Sequence, residues 1–390
     1  MTSPQPFGRL VAGEWRALLE DPWLLSLVSW IPPLIFFLLW TIMSAGIARD
    51  LPIGIVDLDK SAMSRTLIRH YDASSALAAD NAYIDPSQGA AALRAGKIYA
   101  LVIIPADLEK MTLLGHPPQV SAFVNTQFLL IGKIVNTALL QAQGTFVTKI
   151  EVRKNLATGS PVFDPALASA VPVGTQVTPL FNVSTNYAQF LVAAMLPAAW
   201  QIFMVAATVL SLAAELRRGG IRQWLGTTPV RALFAKLLLL AILFWLHGLL
   251  FLWFMYVQQD WPMHGNWTLL LFAQLLTVCA SLAAASVFFF LTLDAARGLS
   301  LAAAYAAPGL AFMGVTFPIT DMTLPAKIWR SFLPVSHYIE IQFSQVNYGA
   351  PLPSAIPQLA ALGGFVLPLL FSIYLARKLA ANPRESRICA

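Results

Sequence analysis

Apolar residues fall along this chain in runs that are long and almost free of charge. The first covers about 23–45 with no charged side chain, enough for a helix to cross the ~30 Å hydrocarbon layer of a bilayer. Pro32-Pro33 predicts a kink inside it. Five further runs lie at about 188–214, 237–257, 267–293, 299–317 and 356–376. Ahead of the first run, residues 7–20 (FGRLVAGEWRALLE) set Leu10, Val11, Trp15, Leu18 and Leu19 at helical spacing. This reads as an amphipathic helix at a membrane surface or as the first turns of a longer helix. The Asp21-Pro22 step favours the surface helix, because proline starts helices well and continues them badly.

Between the first and second runs the pattern changes to short alternating elements. Residues 52–57 (PIGIVD) read as a strand and 61–71 as a helix with Ser61 at its N-cap. A short strand at 81–84, a helix at 87–95, a continuous apolar strand at 98–104, a helix at 106–114 and a strand at 119–125 follow. This order predicts a small α/β domain. A long helix is predicted over 128–156, with Leu130, Ile134, Ala138, Ala142 and Phe146 available to pack on a neighbour. Residues 158–180, rich in proline and small side chains, read as a loop back to the membrane. The expected fold is an α-helical polytopic membrane protein with six transmembrane helices and an α/β extracytoplasmic domain between helices 1 and 2. Its divisions are 1–21 (cytoplasmic amphipathic helix), 22–46 (first span), 47–187 (periplasmic domain with the long helix), 188–377 (spans two to six) and 378–390 (cytoplasmic tail).

Composition supports the membrane reading and charge orients it. Only 11% of the 390 residues are charged, against about 25% in soluble proteins. The net charge of +6 lies beside the spans rather than in a nucleic-acid-binding patch. Twelve Lys and Arg flank one side: Arg9, Arg16, Arg217, Arg218, Arg222, Arg231, Lys236, Arg297, Arg377, Lys378, Arg384 and Arg387. The short loops of the other side carry only Lys327 and Arg330. The positive-inside rule then places both termini in the cytoplasm and the α/β insertion outside. The apolar 23–45 run is too long for a signal-peptide core, so it reads as uncleaved. Cys279 and Cys389 are the only cysteines, and neither has a partner at metal-ligand spacing.

No phosphate-binding G-x-x-x-x-G-K-[ST] loop, H-E-x-x-H or G-x-S-x-G occurs. No catalytic, metal or cofactor residue is therefore assigned. Asp57 and Asp59 suggest a turn at a strand end more than a metal pair. Among ionisable groups only His247 lies well inside a run. That disfavours an ion-coupled transporter, which needs buried charge, and a hydrogen-bonded His within a bundle is the simpler reading. The basic segment 215–236 (ELRRGGIRQWLGTTPVRALFAK) is broken by Gly219-Gly220 and restarts at Thr227-Thr228-Pro229, leaving 221–225 as one helical turn carrying Trp224. It reads either as a short helix that docks into a partner's groove or as a loop that merely satisfies the positive-inside rule.

Several of these segments together resemble the ABC-2 type permeases, ABC exporter subunits with a large extracytoplasmic domain after the first helix. The resemblance rests on IGIVDLDKSAMSRTLI and AALRAGKIYALVIIPADLEK in the insertion, FNVSTNYAQFLVAAMLP at 181–197, the 215–236 loop, and FPITDMTLPAKIWRSFLPVSHYIE at 317–340. Two departures stand out: Asn182-Val183 where the family often has Asn-Pro, and Ala193-Ala194 where it often has Pro-Gly.

The resemblance implies a permease for a hydrophobic or amphipathic substrate such as a drug, lipid or secondary metabolite. It would sit in a bacterial inner membrane, bind no cofactor itself, and be driven by ATP and Mg on a separate ATP-binding subunit. A second permease copy or a related permease is implied as partner, together with membrane lipids and, where used, a periplasmic adaptor and an outer-membrane channel; no nucleic acid is implied. The resemblance places Glu215, Arg217, Arg218, Arg222, Trp224, Gly226, Thr227 and Pro229 in the element that couples to the ATPase. It places Asn186, Tyr187, Phe190, Gln201, Phe203, Met204, Phe312 and Met313 along the substrate pathway or dimer interface. Pro334, His337 and Tyr338 fall in a re-entrant segment; interfacial anchoring is the plainer role for Tyr338 and an equal alternative for Tyr187. The alternative is a membrane-anchored envelope sensor or scaffold whose outer domain binds a ligand. Six spans and a coupling-like loop argue against it.

Overall fold

The computed structural model describes residues 6–44, 46, 48–158, 181–182 and 186–381. Expectations placed on 159–180, Val183, Arg384, Arg387 and Cys389 lie outside these residues. The chain divides into two units, Met1–Gly46 with Leu180–Ala390, and Ile47–Pro179.

Among the described residues, the regular elements of the first unit are all helices. Helices α1 (Phe7–Leu19), α2 (Pro22–Val28) and α3 (Ile31–Met43) open it. Asp21 caps α2 by accepting the Leu24 N–H, with proline in the first turn. The predicted first span is a bent pair, α2 and α3 meeting at 45°. The break precedes Pro32-Pro33 because prolines lack the N–H an ongoing helix needs and fit the start of a new one, here α3.

The uncharged runs at 188–214, 237–257, 267–293 and 356–376 lie in long helices: α8 (Tyr187–Arg218), α10 (Pro229–Trp253, extended by a π-helical turn Phe254–Gln258), α11 (Trp267–Thr292) and the pair α16 (Leu352–Gly364) and α17 (Val366–Ala381). With α9 (Ile221–Leu225) between α8 and α10, α11 packs against α8, α10, α15 and α17. Its run of small side chains, including Ala283, Ala284 and Ala285, lets those helices approach closely.

The run at 299–317 departs from expectation. It is not one continuous helix: α12 (Ala295–Ala306) ends, the chain turns at Ala307-Pro308, and α13 (Gly309–Phe312) is a single short turn. An apolar run sets no single axis when Pro308 removes a backbone donor and Gly309 follows it. The Tyr305 hydroxyl also ties the end of α12 to the Phe332 carbonyl at 2.6 Å. Among the described residues, four helices are long and apolar enough to cross a membrane, and the α2–α3 pair makes a fifth. Helices α14 (Leu324–Ser331) and α15 (Pro334–Val346) fill the segment before α16.

The second unit contains β1 (Leu51–Asp57), α4 (Ala62–Asp72), β2 (Leu77–Tyr83), α5 (Pro86–Arg94), β3 (Ala100–Ile104), α6 (Leu108–Leu113), β4 (Ser121–Val124) and α7 (Leu129–Thr158). The sheet order is β2-β1-β3-β4, with β1 parallel to both neighbours and β4 antiparallel to β3. Strand β3 is buried on both faces, matching its unbroken apolar sequence. Ser61 caps α4 through the Ser64 N–H. Asp57 binds the turn: one carboxylate oxygen accepts the Asp59 and Lys60 amides, and the other the Ser64 hydroxyl.

Candidate functional site

The 215–236 segment forms a small structure at the C-terminal end of α8. That helix has 32 residues, about 48 Å at 1.5 Å per residue, so it exceeds the ~30 Å of hydrocarbon and carries Arg217 and Arg218 past it. Gly219 ends it, and Gly220 at φ +93 reverses the chain into α9. Gly226 leaves α9 with φ +51 and ψ −143, a conformation that side chains resist. Pro229 then starts α10. Within α9, Ile221 and Leu225 are buried, while Gln223, Gly226 and Thr227 are exposed.

Beneath α9 lies a cluster of charge that the sequence pattern did not reveal. Lys236, on α10, is almost wholly buried, and its Nζ sits 2.8 Å from Glu215 Oε1 and 2.6 Å from Glu14 Oε2. Glu14 comes from α1, where only the apolar spacing had been read. Its other oxygen accepts the Trp224 indole N–H at 2.6 Å. The Trp224 ring also faces the Lys236 ammonium, 5.2 Å from its centroid. Arg218 adds a second cation 3.5 Å from Glu215 and donates to the Ala17 carbonyl. Arg217 pairs with Asp21 at 3.2 Å. Two carboxylates thus meet two cations, the balance a buried ionic cluster needs. Arg222 Nε is buried without a partner among the described residues.

This geometry sorts the residues of the predicted coupling element. Glu215 and Trp224 are turned inward and join α1, α8, α9 and α10. Arg217 and Arg218 tie the end of α8 to the start of the chain. Gln223, Gly226 and Thr227 remain on the surface. Glu14 and Lys236 were missed as a pair because 222 positions separate them; the only signal was a lone Glu on an amphipathic helix and a lone Lys at the edge of an apolar run.

The predicted pathway residues do not form one site. Asn186 caps α8 by accepting the Gln189 N–H, and is itself bonded twice to Asn182. Tyr187 begins α8. Phe190 is partly exposed and lines an aromatic pocket with Tyr256, Trp261 and Phe343. Gln201 is fully buried and accepts the Val335 N–H at 2.8 Å. Met204 is enclosed in the main core with Phe203 packed on that core. Met313 is enclosed in a different cluster with Ala194, Ala198 and Ile339. Phe312, beside it, is half-buried.

In the re-entrant segment, Pro334 starts α15. His337 bonds the Ser331 carbonyl at 3.0 Å and the Gln358 side chain at 2.6 Å. Arg330 pairs with Glu340, which also accepts from Gln358. Tyr338 is 1% exposed and packs edge-on against Trp200, 6.4 Å between ring centres. This tyrosine is therefore packed inside the bundle rather than presented on its surface. His247 is held within the bundle by the Ser29 carbonyl at 3.0 Å.

No individual curated protein matches the chain. A family model described as ABC-2 family transporter protein matches residues 22–374, which spans the bent first pair, the sheet-bearing unit and every long apolar helix except the end of α17. The chain is a multi-pass membrane protein that belongs to the ABC-2 transporter family.

Proposed function

We propose that this chain is the membrane subunit of an ATP-driven exporter, moving a hydrophobic or amphipathic compound outward from the cytoplasm or inner leaflet of a bacterial inner membrane. Both termini and the α9 element face the cytoplasm, and the sheet-bearing unit faces outside. The family implies pairing with an ATP-binding subunit, and two permeases assemble around the pathway. ATP-driven closure of the partner subunits pushes on α9.

The observation that carries this reading is the build of α9. A five-residue helix is held between positive-φ glycines at Gly220 and Gly226, with Gln223 and Thr227 exposed. Its inner face is fixed through Trp224 to Glu14 and through Glu14 to Lys236. A push on the exposed face therefore reaches α1, α8 and α10 together, without a flexible link. The sheet-bearing unit would guide released substrate or dock a periplasmic adaptor.

The test uses the complex reconstituted in liposomes with its ATP-binding subunit. Gln223→Glu combined with Thr227→Glu changes the exposed face and leaves the charged cluster intact. The expected outcome is unchanged thermal stability with at least tenfold loss of transport per ATP hydrolysed. Full coupling in this variant would contradict the assignment.

A further inference from the structure

Helix α7 outruns the sheet it covers. Its 30 residues reach about 45 Å, whereas the seven residues of β1 reach about 23 Å. Along the sheet its inward stripe of Val135, Ala138, Leu139, Ala142 and Phe146 is buried. Past that point the same face meets the 114–118 loop instead of a strand. Gly115, at φ +77, turns the chain at the start of this loop. A cleft of about 200 Å³ is left, floored by Leu67, Leu108 and Phe146 and walled by Pro117 and Val147.

One polar group in the cleft is oriented and half used. Gln143 lines it and accepts the Tyr71 hydroxyl through Oε1 at 3.1 Å. Tyr71 is buried, and that burial pushes its phenol up to about 12, so at neutral pH the hydroxyl is the donor. The Gln143 carbonyl is thereby fixed, and its Nε2 donor has no partner among the described residues. Among the ionisable side chains of the lining, Glu151 and Lys154 stand 4.0 Å apart and offset each other's charge, and His116 is the third. The size of the cleft is below the ~300–1,000 Å³ of sites for drug-sized ligands, which sets the ligand at a single ring or a short chain.

We propose that this cleft binds a small uncharged amphipathic molecule, with its apolar body on Leu67, Leu108 and Phe146 and a hydrogen-bond acceptor on the Gln143 amide. The site belongs to the sheet-bearing unit alone and stands whether or not the transport assignment holds.

The probe is 4-(trifluoromethyl)benzyl alcohol, followed by fluorine NMR line width with the full chain in lipid nanodiscs and with empty nanodiscs subtracted. Wild type broadens the line beyond the lipid background. Val147→Trp, a change at a half-exposed position, fills the cleft and abolishes the excess. Gln143→Glu keeps the acceptor for Tyr71 and loses the donor, and weakens binding by roughly two- to tenfold, the range of one hydrogen bond. Excess broadening equal to wild type in Val147→Trp would overturn the site. Undiminished affinity in Gln143→Glu would overturn the recognition.

Discussion

Two polar regions share α8 and differ in how completely they are satisfied. Around Glu215, Lys236 and Glu14 lie four charged groups and an indole, and each carboxylate has a cation within reach. Fourteen residues earlier, about 21 Å along the helix, Gln201 faces α15 with its oxygen bonded and its Nε2 unmatched. Near it Trp200 Nε1, Gln274 Oε1, Ser336 Oγ and Gln342 Oε1 are also buried without partners among the described residues. Displacing a saturated network breaks bonds, whereas displacing a half-satisfied one can make them. The charged end is thus built as a brace, and the polar seam within the bundle is the region with hydrogen-bonding capacity left for a second arrangement.

The sharpest way to break this contrast is Lys236→Met. It leaves Glu14 without a cation and Glu215 with Arg218 alone, and should cost about 3–5 kcal/mol, read as a shift in detergent thermal unfolding. The double variant Glu14→Gln, Lys236→Met should recover most of that loss, since Glu215 keeps Arg218 and the cluster stays balanced. A smaller effect is expected for Trp224→Phe, which keeps the ring near Lys236 and removes the N–H to Glu14. A hydrogen bond to a charged group contributes about 1.5–3 kcal/mol, and the same unfolding assay reads it. Smallest should be Gln201→Leu: it removes the acceptor for the Val335 amide and also the orphaned Nε2, so the net change is about 0–1 kcal/mol. A Gln201→Leu loss as large as that of Lys236→Met would end the distinction between brace and seam.

Much of this architecture was legible because it depends on local pattern. The runs at 188–214, 237–257 and 267–293 are helices, and Ser61, Asp21-Pro22 and Gly219-Gly220 act where caps and breaks were expected. What escaped depends on distant residues or on geometry that hydropathy does not encode. The 299–317 run is uniformly apolar, yet Pro308 and the Tyr305–Phe332 bond divide it. Strand β2 starts at Leu77, four positions before the predicted 81, because pairing to β1 rather than its own polar sequence makes it a strand. Trp224 lies in a segment whose sequence allows either a docking helix or a plain loop, and only the fold supplies Glu14 as its inward partner. Tyr338 lies in a segment whose sequence allows a re-entrant position or interfacial anchoring, and only the fold shows it packed beside Trp200.

The central claim is that the exposed face of α9, resting on the Glu14–Lys236–Glu215 brace, meets the ATP-binding subunit. The most direct measurement is cross-linking in the assembled complex, with Cys279 and Cys389 replaced and a maleimide-linked photoreactive group carried at Gln223→Cys or Thr227→Cys. The account predicts strong cross-linking from both positions, and little from Ser354→Cys on the exposed start of α16. Cross-linking from Ser354→Cys with none from Gln223→Cys or Thr227→Cys would contradict it.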